Sequence, residues 1–282
     1  MAVVRVLRNI RSAAWLGWQI ESNWADPFLF IVYSVAKPVA SSLILVFMYL
    51  IVLGGDTSTP FFAYMFSGNA FFIYVGQLLI GIGWVIFEDR EHYETLKYVY
   101  VSPQKIVLYL FGRGTIKFLT ATLAVAITLA FGIIALRVPV HTERIMPFHF
   151  AASFVLGIIG IAALGIILAA IGLLVARHSM SLNEGVAGLF YLLSGAVFPI
   201  DVLPGWVRGF SKSLPFTYWL EGIRRSLGWG GVSKELGSIP DGRILLILLV
   251  TTVCLFFFAL WFYAVCERIA RRYGLIDRTT NY

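Results

Sequence analysis

The residues able to do chemistry are few and scattered. Glu88 and His92 stand four apart, one helical turn, a spacing that suits a shared ligand and equally suits two solvated residues on one helix face. His141, Glu143 and His149 form a second polar group whose spacing matches no strong metal-binding pattern. Gly112 to Lys117 is Gly-rich and basic, yet no Gly-x4-Gly-Lys-Ser/Thr phosphate loop occurs in the chain. Cys254 and Cys266 are separated by about 18 Å of helix and cannot bridge each other. The sequence thus predicts no catalytic constellation, no metal site and no bound cofactor.

The only dense cluster of charge is Glu88 to Pro103, flanked by long apolar runs. Glu88, Asp89, Arg90, Glu91 and Glu94 are ionised at neutral pH, and each would cost several kcal/mol in hydrocarbon, so the stretch is expected in water. Tyr93, Leu96, Val99 and Tyr100 recur at three- and four-residue steps, opposite Glu91, Glu94 and Lys97 on a helix. The pattern predicts one short amphipathic helix, ended by Ser102 and Pro103.

The elements around it are dictated by composition. The 282 residues are 59% hydrophobic and 13% charged, and crossing ~30 Å of hydrocarbon takes about 20 residues. The apolar runs Phe28 to Leu53, Phe61 to Phe87, Ile106 to Leu136, Phe148 to Ala176, Gly185 to Ile200 and Ile244 to Val265 predict an all-α polytopic membrane protein with six spans, forming a single domain over 1–282. The net charge of +7 is compatible with nucleic acid, but cations flanking spans follow from the positive-inside bias, and no nucleic-acid partner is expected. With both termini cytoplasmic, the inner side collects Arg5, Arg8, Arg11, Arg90, Lys97, Lys105, Arg113, Lys117, Arg177, Arg268, Arg271, Arg272 and Arg278. Arg113 and Lys117, just inside the third span, are expected to snorkel to the inner interface.

Residues 1–26 read as a basic amphipathic helix on the inner surface, with Val3, Val4, Leu7, Ile10, Ala14 and Trp18 on one face. No cleavable signal peptide is expected ahead of the first span. Lys37 lies inside that span and Gln77 inside the second; either is a pathway residue, or Lys37 snorkels and Gln77 packs between helices. Gly165, Ala169, Gly172 and Ala176 predict close helix packing by the fourth span. The fifth run is short, about 24 Å, and leads into the aromatic segment 198–230, where Pro199, Pro204 and Pro215 forbid a continuous helix. Short re-entrant helices in the outer leaflet are expected there, with Trp206 among rings at headgroup level and Glu221 pairing with Arg224 and Arg225.

Two stretches resemble the membrane subunit of type-two ABC exporters. Arg90, Glu91, Thr95, Leu96, Ser102 and Pro103 occupy the places of the family's charged stretch between the second and third spans. Ser194, Gly195, Phe198, Pro199, Leu203, Pro204, Trp206, Pro215 and Arg225 match its outer motif. The chain departs from the family at Glu94, where Gly is usual, and at Lys97, where Glu is usual. The resemblance implies six helices, a second permease copy as homodimer or related heterodimer, and a cytoplasmic ABC ATPase that carries ATP and Mg. That ATPase would dock on a coupling helix over 88–104. Glu88, Arg90, Glu91, Glu94, Thr95, Leu96 and Tyr100 are the expected coupling residues, with Leu96 and Tyr100 filling a groove on the ATPase and Glu91 and Glu94 at its rim. The expected function is export of an amphipathic, drug-like, lipid-like or glycolipid solute across the cell membrane. The alternative is an ion-coupled secondary transporter without an ATPase, a class that usually shows internal repeats and several acidic groups in its spans.

Overall fold

The computed structural model describes residues 2–22, 27–52, 54, 56–139, 143, 145–175 and 179–276, and among these the chain is α-helical without a strand. The N-terminal helix α1 covers Ala2–Ser22 and α2 covers Pro27–Val52. A tight polar turn follows, in which the Ser58 backbone N–H and hydroxyl both donate to the Asp56 carboxylate, at 3.0 and 2.6 Å. The Thr59 hydroxyl then accepts from the Phe62 N–H and Pro60 occupies the first helical turn, which starts α3, Pro60–Tyr74. A π-helical turn, Val75–Leu79, joins α3 to α4, Ile80–Phe87, and a second, Glu88–His92, extends it, so that Pro60–His92 is one continuous helix of 33 residues.

The remaining elements are α5 (Leu96–Val101), α6 (Ile106–Ile134), α7 (Pro147–Leu174), α8 (Ser179–Leu193), α9 (Gly205–Ser211), α10 (Pro215–Ser226), α11 (Lys234–Gly237) and α12 (Asp241–Arg272). Four helices among the described residues are long and apolar enough to cross a membrane: Pro60–His92, α6, α7 and α12. These match the second, third, fourth and sixth expected runs. The 26-residue α2 coincides with the first run. The fifth run is displaced: α8 begins at Ser179 and ends at Leu193, ahead of the expected Gly185 to Ile200. Its polar start is held in place because Asn183 is buried against Gly83 of α4.

The core is organised around α7, which packs on α4, α10 and α12. Small residues make this possible. A Cβ on Gly157 would run into the indole of Trp219, and one on Gly165 would lie 2.8 Å from Cβ of Ile82. Of the expected small-residue series on the fourth span, Gly165, Ala169 and Gly172 are buried, and Ala176 lies outside the described residues. By contrast α12 turns Leu246, Leu249, Val250, Val253, Phe257, Phe258 and Trp261 outward, the apolar face a bilayer requires.

The N-terminal helix packs on α6 through its small residues. Ala13 and Gly17 are buried against α6, Ala13 on Gly112 and Gly17 on the Arg113 side chain, while Leu7, Trp15 and Trp18 stay exposed. Shape decides this contact: two glycines and an alanine let the backbones approach, leaving the larger apolar groups free for lipid.

Candidate functional site at the inner end of the second span

The charged stretch is not one amphipathic helix. The second-span helix runs on through Glu88–His92 in π geometry, with the Tyr93 N–H bonded to the Glu88 carbonyl at 3.1 Å. The chain then reverses at Glu94, whose φ of 50° lies in the left-handed region, and the Thr95 N–H closes the turn onto the Asp89 carbonyl at 2.8 Å. Only from Leu96 does a new helix, α5, begin. This left-handed position is where the resembled family usually has Gly, which enters that region without a Cβ clash.

The expectation that these charges all lie in water is overturned for the first of them. Asp89 is fully buried and Arg90 is 3% exposed. Asp89 accepts from Arg113 Nη1 at 2.8 Å and from the Tyr109 hydroxyl at 2.6 Å, while Arg113 Nη2 donates to Glu88. Arg113 is itself buried, so it does not snorkel; its guanidinium reaches back to the two carboxylates instead. Burial of a charge is tolerable when every partner is in place, and the fork of Arg113 supplies two of them. Lys117, one turn on, pairs with Glu21 of α1. Arg90 pairs with Glu91 at 2.9 Å and donates from Nη1 to the Leu173 carbonyl at 3.2 Å, capping the last turn of α7. Glu88 is thus engaged by Arg113, and among the described residues no group of His, Cys, Asp and Glu is arranged to hold a metal.

The face of α5 turned outward is also the opposite of the expected one. Leu96 is 1% exposed within the helical core, and Val99 is buried beside it. Tyr100 shares a hydrogen bond with the Tyr263 hydroxyl at 3.1 Å and lies under the Arg271 guanidinium, 4.9 Å from its ring centroid. Burial pushes the Tyr100 phenol up to about 12, so it stays neutral and able to donate. Tyr100 thus ties α5 to the C-terminal end of α12, and neither it nor the buried Leu96 is left to fill a partner's groove. The free face carries Glu94, Lys97, Tyr98 and Val101, the last two 68% and 86% exposed, with the Lys97 ammonium 5.4 Å from the Tyr98 ring centroid. Tyr98 and Val101 were missed from sequence, although their three-residue spacing beside Lys97 carries the signal. Thr95 is half-buried, its hydroxyl 3.5 Å from the Asp89 carbonyl.

The outer motif folds largely as its prolines dictate. Pro199 precedes a 3-10 turn at Ile200–Val202, Pro204 precedes α9 and Pro215 opens α10. Glu221 is fully buried and accepts from Arg225 Nε at 3.0 Å, and Arg225 goes on to Asp241 at 2.6 Å and to the carbonyls of Leu236 and Ile239. Arg224 makes no such pair. Its guanidinium donates to the carbonyls of Tyr64, Gly195 and Ala196 and stacks 3.5 Å from the centroid of the Tyr64 ring. The carbonyls of the turn just after α8, inside an apolar region, therefore find their donors on Arg224. Trp206 is 84% exposed and lines up with Val202 and Phe210 on the outward face of α9. On the other side of α9, Arg208 and Lys212 both pair with Glu235, which holds that carboxyl below the usual range.

Gln77 sits half-buried in the first π turn. Lys37 lies on α2 and its side chain is outside the described residues, as are His141, Arg177, His178 and Arg278.

A polytopic α-helical membrane protein with a short helix bolted beneath its second and third spans is the class defined by this fold and site. The chain belongs to the ABC-2 type transporter family, whose model matches residues 12–227, from the middle of α1 to the end of α10. No curated protein matches the chain. Family membership makes it a membrane permease domain of an ABC transporter, as the charged stretch and outer motif had suggested.

Proposed function

We propose that this chain is the permease subunit of an ATP-driven exporter, with both termini cytoplasmic, and that a separate ABC ATPase docks on the outward face of α5. The observation that carries the reading is the division of α5 into two faces. Leu96, Val99 and Tyr100 fasten it to the spans, whereas Tyr98 and Val101 stand free with Lys97 and Glu94 beside them. A rigid helix with one anchored face and one free face suits transmission of a push from outside the membrane. ATP and Mg2+ belong on the partner, and a second permease copy completes the pathway, in which Lys37 and Gln77 are candidate lining residues. An amphipathic or lipid-like cargo suits spans rich in aromatics and poor in charge.

The partner's groove should be apolar at its floor, to take Tyr98 and Val101, and acidic near Lys97. The test is a pull-down of the tagged protein from detergent-solubilised membranes. Wild type should bring down an ATP-binding cassette subunit, and Val101→Asp should lose it while still inserting normally. Recovery of the ATPase with the Val101→Asp variant would place docking elsewhere. No ATPase with folded wild type would favour the ion-coupled alternative and make Lys37 the next residue to change.

A further inference from the structure

The buried ionic group at the end of the second-span helix joins three elements at a single guanidinium. Asp89 and Glu88 come from the end of the second-span helix, Arg113 and Tyr109 from α6, and Gly17 of α1 packs on the Arg113 side chain, 3.3 Å from Cδ for a Cβ placed there. The same Asp89 also holds α5 through its carbonyl, which accepts from the Thr95 N–H. The bond spans five residues, ending in the half-buried Tyr93 and Glu94's left-handed turn, so α5 and the Asp89 carboxylate are tied by a short closed loop. A displacement of α5 therefore pulls on Asp89, and through two charge-assisted bonds on Arg113. The Arg90 guanidinium, next in the chain, still has Nη2 buried without a partner, so the group holds a donor to spare if its bonds are exchanged.

We propose that Arg113 is the positioning residue that takes movement of α5 from the Asp89 and Glu88 carboxylates and carries it into the third span, its own helix, and into the N-terminal helix packed on its side chain at Gly17. This inference rests on the permease reading above. It assigns no docking role to Arg113, which is buried away from the free face of α5.

The experiment uses the permease and its co-purified ATPase in nanodiscs, with Cys254 and Cys266 replaced by Ser. Spin labels are placed at Ile134→Cys, at the outer end of α6, and at Leu246→Cys, near the outer start of α12; both side chains are exposed. Adding ATP and Mg2+ should change the distance distribution between the labels in the wild-type background. Arg113→Lys keeps the charge but loses the two-pronged geometry, and it should cut that change by more than half while ATPase association and hydrolysis stay within twofold. Tyr109→Phe leaves the ion pairs and should keep the change. If Arg113→Lys does not fold, Asp89→Asn serves as the second variant, with the same loss expected. A full-sized change in the folded variants would reduce the joint to a structural role and overturn the proposal, as would a wild-type complex in which α6 does not move. Failure of wild type to recover any ATPase is a different result: it removes the permease reading, and this inference falls with it.

Discussion

Of the arginines buried among the described residues, Arg113 and Arg224 lie at opposite ends of the core and are held in opposite ways. Arg113 at the inner end faces carboxylates, Asp89 and Glu88. Arg224 at the outer end contacts no carboxylate; three carbonyl oxygens and the Tyr64 ring hold it. The first is an ion pair that can be dismantled and rebuilt as charges are exchanged. The second is a fixed plug for the turn just after α8, because its partners are backbone atoms that no side-chain change can neutralise.

That contrast is broken most directly at Arg224. Arg224→Gln strands carbonyls of the turn just after α8 and removes the stacked cation, so a loss on the order of 3–5 kcal/mol is expected, seen as a large fall in thermal stability in detergent. No neutral side-chain replacement elsewhere should restore it. Arg113→Gln alone leaves Asp89 buried and unpaired and should cost about as much, but adding Asp89→Asn should recover a large part, since a buried pair removed together costs far less than one removed singly. A double variant no more stable than Arg113→Gln would erase the distinction between the two arginines.

A smaller effect sharpens the inner end. Glu94→Gly relieves a left-handed residue and should stabilise by roughly 1 kcal/mol, measured by thermal unfolding. A loss of stability there would mean that the Glu94 side chain contributes more than its backbone costs. The smallest effect belongs to the outer surface. The contacts of Glu235 with Lys212 and Arg208 lower its folded-state pKa, so their stabilisation is present above the ordinary carboxylate range and is lost as pH falls through the lowered value. Protection of the α11 amides, after correction for the intrinsic pH dependence of exchange, should therefore fall only as pH drops below the ordinary carboxylate range, and Glu235→Gln should flatten that dependence.

Much of this architecture was legible in the chain. Apolar runs located the long spans, three prolines divided the outer segment, and Glu221 with Arg225 stood at helical pairing distance. The fate of Glu88 and Asp89 was not legible, because their partner lies 24 and 25 residues on, across a turn, and local reasoning meets each charge alone. The outward face of α5 was misread for a related cause: its apolar residues were taken to seek a partner when the core of their own chain was nearer. Arg224 was misassigned because a carboxylate three residues away is visible in sequence, whereas the carbonyls of the turn just after α8 are not. The start of α8 was missed because Ser181, Asn183 and Glu184 resemble a loop until Gly83 of α4 is brought alongside.

One extra residue wound into a π turn rotates everything beyond it by about 100° about the helix axis. The turn at Val75–Leu79 therefore sets the angular phase of the inner half of the helix, including the direction in which Asp89 points. Deleting a single residue there would leave a continuous helix of nearly the same length, yet swing the carboxylate off Arg113. The inner joint is timed from the middle of the membrane.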